Sequence, residues 1–128
     1  MNARELAQLI AVSADAKSGI DVVILDVSQI LTFCDAFVIV SATNTRLVGA
    51  IVQEIEDQVA RAADVRPAAV EGLDVRRWVL MDYGDVVVHV FLDEERAYYR
   101  LERLYGDAPR VPFTSDRRGP GESAGVSA

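Results

Sequence analysis

Cysteine, histidine and lysine each occur once in the chain, as Cys34, His89 and Lys17. A lone cysteine cannot close an intramolecular disulfide, and there is no Cys cluster for zinc. The phosphate-cradling patterns G-x-x-x-x-G-K-[ST] and G-x-G-x-x-G are both missing. No apolar run approaches the roughly 20 residues that span a bilayer. The N-terminus lacks the basic stretch followed by an apolar run of a secretory signal. These absences leave a cytoplasmic, membrane-free protein with no resident metal or cofactor as the expectation.

What is present is apolar and acidic. Hydrophobic residues make up 51% of the 128 residues and charged residues 26%, with a net charge of −7. That composition fits one soluble folded domain. Affinity for nucleic acid comes largely from Lys and Arg displacing counterions from phosphates. A net-acidic domain is therefore expected to bind nucleic acid directly little or not at all. It suits a basic protein partner, where complementary charge speeds encounter.

Along the chain, Leu6, Leu9, Ile10 and Ser13 recur at helical spacing, predicting a helix over 3–17 that ends at Gly19. Asp21 to Val27 and Asp35 to Ser41 read as strands, the second apolar on both faces. Thr43 or Asn44 caps a helix to about Ala63, with Leu47, Ile51, Ile55 and Val59 on its apolar stripe. Residues 66–74 read as a loop. Val75 to Leu92 reads as a hairpin turning at Tyr83-Gly84, which pairs Met81 with Val86 and Trp78 with His89. That register puts Trp78, Leu80, Val87 and His89 on one face, and Val79, Met81, Val86 and Val88 on the other. Asp93 caps a last helix to about Tyr105, stopped by Gly106. The domain is expected over 1–109. Residues 110–128 form a Pro/Gly/Ser-rich tail, disordered from about 114, in which acidic and basic residues nearly balance. The order α-β-β-α-β-β-α predicts an α/β (α+β) fold, a single mixed sheet flanked by helices.

Catalytic constellations are weak. Asp82 and Asp85 flank the turn, but no third acidic ligand stands at a metal spacing, so they serve better as acceptors for a partner's Arg or Lys. His89 lies mid-strand among valines and reads as a core histidine; no Ser or Cys pairs with it as a nucleophile. Cys34 reads as a small buried hydrophobe. Aromatics concentrate late in the chain: Trp78, Tyr83, Phe91, Tyr98, Tyr99 and Tyr105 lie between positions 78 and 105. Tyr98, Leu101 and Tyr105 share a helical stripe and Tyr99 lies about 100° away, which leaves one tyrosine partly exposed. Trp, Tyr and Arg are favoured interface anchors.

Three segments resemble one family. Cys34-Asp-Ala-Phe-Val-Ile-Val-Ser41 is similar to its second-strand signature. Trp78-Val-Leu-Met-Asp-Tyr-Gly-Asp-Val-Val-Val-His-Val-Phe91 resembles its hairpin. Arg96-Ala-Tyr-Tyr-Arg-Leu-Glu-Arg-Leu-Tyr-Gly-Asp-Ala108 resembles its final helix. Together they identify the chain as resembling the ribosomal silencing factors, or Iojap-like proteins, over about residues 3–109. The resemblance implies a non-enzymatic, often dimeric repressor of translation. Such a protein binds large-subunit ribosomal protein uL14, obstructs joining of the small subunit, and is also linked to large-subunit biogenesis. Carried onto this chain, the partner-binding residues are Trp78, Leu80, Asp82, Tyr83 and Asp85 of the hairpin, and Tyr98, Tyr99 and Glu102 of the last helix. Two departures stand out. Tyr105 replaces the family's usual tryptophan, and Ala42-Thr43-Asn44 replaces a turn that often holds glycine.

Two rival readings remain. The fold order also resembles nucleotidyltransferases, but their Gly-Ser turn and Asp-x-Asp pair are missing, so the likeness is to the fold without its active site. The other is an adaptor with a different protein partner.

Overall fold

A computed structural model describes residues 1–113. Helix α1 (Ala3–Ala16) starts with a signal the periodicity overlooks. The Asn2 side chain accepts from the Glu5 amide at 2.8 Å, and the Glu5 carboxylate accepts from the Asn2 amide at 3.0 Å. This reciprocal capping box satisfies two amide donors that a helix start leaves bare. Strands β1 (Ile20–Asp26) and β2 (Ala36–Ala42) follow. Helix α2 (Thr45–Ala63) is capped by Asn44, whose side-chain oxygen accepts from the Leu47 amide at 2.8 Å.

The segment read as a loop contains a short strand, β3 (Ala69–Glu71), paired antiparallel with β4 (Trp78–Asp82). Three residues at a sheet edge leave too little pattern to be read as a strand. Strand β5 (Val86–Leu92) completes the hairpin. A two-residue strand, β6 (Arg110–Val111), lies in the stretch read as tail and pairs with β1. The sheet order is β3-β4-β5-β2-β1-β6, with β2 and β5 parallel and every other neighbouring pair antiparallel. The mixed sheet flanked by helices is thus as expected, with two extra edge strands. The disorder expected from about residue 114 lies outside the described residues.

The hairpin turns one residue later than expected. Tyr83 pairs with Val86 (amide to carbonyl 2.9 Å), and Gly84-Asp85 form the two-residue turn, with Gly84 at φ 86°. Glycine in the first central position supplies the positive φ that such turns require. Trp78 therefore faces Phe91, and Leu80 faces His89. The register differs by two residues from the expectation. Because side chains alternate with period two, the two faces keep their expected members.

The faces are covered unequally. Helices α1 and α2 pack on one, against Val38, Val40, Val79, Met81, Val86, Val88 and Val90. On the other, Leu25, Phe37, Ile39 and Phe91 cluster with Val27, Leu31 and Cys34 of the β1–β2 connection and with Leu101, Tyr105 and Ala108 of the C-terminal segment. That segment is not the continuous helix expected. Helix α3 (Asp93–Tyr99) stops at Arg100, which has left-handed φ 50°, and α4 (Leu101–Leu104) restarts beyond it. Asp93 is the first helical residue rather than the cap, and Leu92 takes the cap position with no side-chain bond. The break turns Leu101 into the core, where an unbroken helix would have continued the Tyr98 stripe.

Candidate docking surface

Among the described residues, the part of the second face around Leu80, Val87 and His89 has no helix residue lining it. There Phe33, Phe37, Leu80, Asp82, Gly84, Val87 and His89 line a groove of about 380 Å³. Trp78 extends the apolar surface toward α3. Its ring packs on Phe91 at 4.7 Å and on Tyr99 at 4.8 Å between centroids. Tyr98 meets Tyr99 edge-on at 5.0 Å and is 79% exposed. Phe33, 70% exposed, stands at the opposite end.

His89 anchors the floor. The Trp78 indole N–H donates to His89 Nδ1 at 3.1 Å. An accepting Nδ1 means the neutral ring carries its proton on Nε2. Burial holds the His89 pKa down to about 4, so the ring is uncharged at neutral pH. Phe37 packs edge-on against it at 4.7 Å. The single histidine thus orients the single tryptophan, and the indole leaves its apolar faces for contact.

One end of the groove is acidic. Burial pushes the Cys34 thiol above its ordinary pKa, and the charges of Asp35, Asp82 and Asp85 raise it further. Of the three, Asp82 lines the groove, whereas Asp35 lines a separate pocket beside Asn2 and Arg4. The Asp82 carboxylate accepts from the Gly84 amide at 2.8 Å, so it holds the turn as well as facing outward. The Asp85 carbonyl accepts from the Asp35 and Ala36 amides at 2.7 and 3.1 Å, which ties the turn to the start of β2. Asp35 had been read only as a strand residue.

Not every expected residue joins this surface. Leu80 and Asp82 line the groove, Trp78, Tyr99 and Tyr98 continue from it through ring contacts, and Asp85 lies in the turn next to the lining residue Gly84. Tyr83 does not join the surface: it alternates with Val79 and Met81 and belongs to the helix-covered core. Its hydroxyl is buried without a hydrogen-bond partner among the described residues, and burial pushes its pKa up to about 12. Glu102 is also committed elsewhere. Its carboxylate pairs at 2.8 Å with Arg96, which in turn donates to the Ser41 hydroxyl at 2.9 Å and the Ile20 carbonyl at 3.3 Å. Burial works to raise the Glu102 pKa, but the Arg96 hydrogen bond and charge outweigh it and hold it below the ordinary value. This cluster pins the C-terminal segment to β1 and β2. Phe33, Phe37, Val87 and His89 were missed as groove residues. Phe37 reaches the site through the parallel pairing of β2 with β5, which sequence spacing does not disclose.

A family profile described as "Ribosomal silencing factor during starvation" matches residues 1–126. The chain belongs to the ribosomal silencing factor family. It is 43% identical over 109 residues to ribosomal silencing factor RsfS of Bacillus subtilis, covering 85% of this chain and 92% of that protein. The chloroplastic Iojap protein of Zea mays is 32% identical over 85% of this chain, which spans 48% of that longer protein. Among solved structures, one from Bacillus halodurans is 40% identical with a TM-score of 0.73, covering 85% of this chain and 98% of that one. One from Chromobacterium violaceum is 29% identical with a TM-score of 0.79, covering 94% and 99%. The family's name makes this a regulator that works with ribosomes. No helix among the described residues is long and apolar enough to cross a membrane.

Proposed function

We propose that the chain docks on the large ribosomal subunit through protein uL14 and there blocks approach of the small subunit, repressing translation. The observation that carries this reading is the groove over β4 and β5, which presents Trp78, Leu80, Tyr99 and Phe33 beside Asp82 and the turn residue Asp85. Aromatic anchors ringed by charge suit a basic protein surface. Occlusion needs affinity and bulk rather than a reactive group, so the action is that of a binding protein and not an enzyme. Mouse mitochondrial assembly of ribosomal large subunit protein 1, 31% identical over 87 residues, is named for large-subunit assembly, which supports a part in biogenesis as well. A cytoplasmic homodimer completes the reading, and sedimentation equilibrium tests the dimer.

The test of docking is co-sedimentation with purified large subunits. Trp78→Ala and Tyr99→Ala variants with unchanged circular dichroism should each bind weakly, while Tyr83→Phe should bind as the parent does. Full binding by both alanine variants removes this face from the reading.

A further inference from the structure

Beyond the groove, the α3–α4 break and β6 form a second concave site. A cleft of about 460 Å³ is lined by Arg96, Ala97, Arg100, Glu102, Arg103 and Arg110. Four of the chain's 13 basic residues converge there from three segments, against the one carboxylate of Glu102, on a protein whose net charge is −7. Glu102 is already spoken for by Arg96. The Arg100 and Arg103 guanidinium groups have no ion pair or side-chain hydrogen bond among the described residues. Among the described residues, Arg110 has no ion pair and interacts electrostatically with Glu102. Concentrating unpaired cations of one sign in a cleft costs repulsion, which a bound anion would relieve.

The backbone at Arg100, the residue that ends α3, shapes the cleft. Arg100 holds φ 50°, a conformation that disfavours any residue with a Cβ and that glycine or asparagine would adopt more easily. Here the strain places Arg100 beside Arg103 and Arg96, whose own position is fixed by Glu102, Ser41 and the Ile20 carbonyl.

We propose that the Arg96–Arg100–Arg103–Arg110 cleft binds phosphate groups. Arginine's planar fork matches phosphate oxygens two at a time, which lysine cannot do. The phosphates can come from a free polyphosphate compound or from an RNA backbone, and the chemistry of recognition is the same. The site is separate from the aromatic groove and does not depend on the docking reading.

The test titrates the full chain, free of ribosomes, with sodium pyrophosphate and in parallel with a short single-stranded RNA, followed by calorimetry. The variants are Arg100→Gly, which accepts the left-handed φ, and Arg103→Gln on the exposed side of α4. Arg96 is left in place because it holds the segment together. Each variant should bind about tenfold more weakly, while Arg100→Gly melts no lower than the parent. Loss of pyrophosphate binding in the variants assigns a free anion; loss of RNA binding alone assigns a backbone phosphate. Binding of neither probe by the parent, or equal binding by parent and both variants, overturns the proposal.

Discussion

The two faces of the sheet carry similar apolar residues and meet different fates. Under α1 and α2, Val38, Val40, Val88, Val90 and Met81 are wholly buried. Across the same strands, Trp78 and Leu80 stay half-exposed beside Phe33 and Tyr99. The strand pattern does not separate these faces, since β5 is buried along its whole length. What separates them is how much helix the chain supplies. Two full helices cover one side, whereas on the other, among the described residues, the broken C-terminal segment packs over Leu25, Phe37 and Phe91 and meets Trp78 through Tyr99, leaving a groove at Leu80, Val87 and His89. An apolar groove left open in this way among the described residues is a candidate surface for a partner.

The comparison breaks most visibly on the covered side. Ile55, fully buried in α2, when replaced by Ala should lose about 4 kcal/mol of stability through lost burial and the cavity left behind. Chemical denaturation measures it, and the protein that remains folded should still dock normally.

Acid probes the floor of the open side. His89 has a folded pKa of about 4 against an ordinary value of 6.5. The unfolded state therefore binds its proton first as pH falls. The full contribution is present above about 6.5 and is lost as pH drops toward 4, about 3 kcal/mol in all. Denaturation midpoints between pH 7 and 4 should show this slope, and His89→Gln should flatten it. Protonation at Nδ1 also removes the acceptor that orients Trp78, so docking should weaken over the lower part of the same range.

Tyr99 and Tyr83 sharpen the contrast between two tyrosines on opposite faces. Tyr99→Ala should cost about 2 kcal/mol of docking, roughly thirtyfold in affinity, with little loss of stability. Tyr83→Phe deletes a buried hydroxyl that has no partner among the described residues, so it should leave docking unchanged and stabilise the fold by about 1 kcal/mol. The smallest effect belongs to the rim. Asp85→Asn should slow association a few-fold at low salt and leave dissociation nearly unchanged, as stopped-flow mixing would record.

Much of this was legible because the signals were local and periodic. The cap at Asn44, the apolar stripe of α2 and the alternation of the hairpin all express contacts between residues close in sequence. The hairpin register was misread by two residues, yet the faces survived because two is the period of a strand. Tyr83 is the instructive error: its parity with Val79 and Met81 already placed it on the helix side, and its family context drew it to the other. The break at Arg100 was hidden because the Tyr98–Leu101–Tyr105 spacing runs on unbroken while the tertiary position of Leu101 demands a turn. Strands β3 and β6 are too short to show a pattern. Phe33 and Phe37 join the groove only through long-range strand pairing.

The most direct trial of the open face is joining of purified ribosomal subunits in the presence of the parent chain or of Leu80→Arg, which puts a charge into the groove without touching the covered core. The parent should reduce the joined fraction in proportion to its concentration, and Leu80→Arg should leave it close to the level without added protein. Equal inhibition by the two, with both folded, would show that the half-sheet over β4 and β5 is not the surface by which the protein acts.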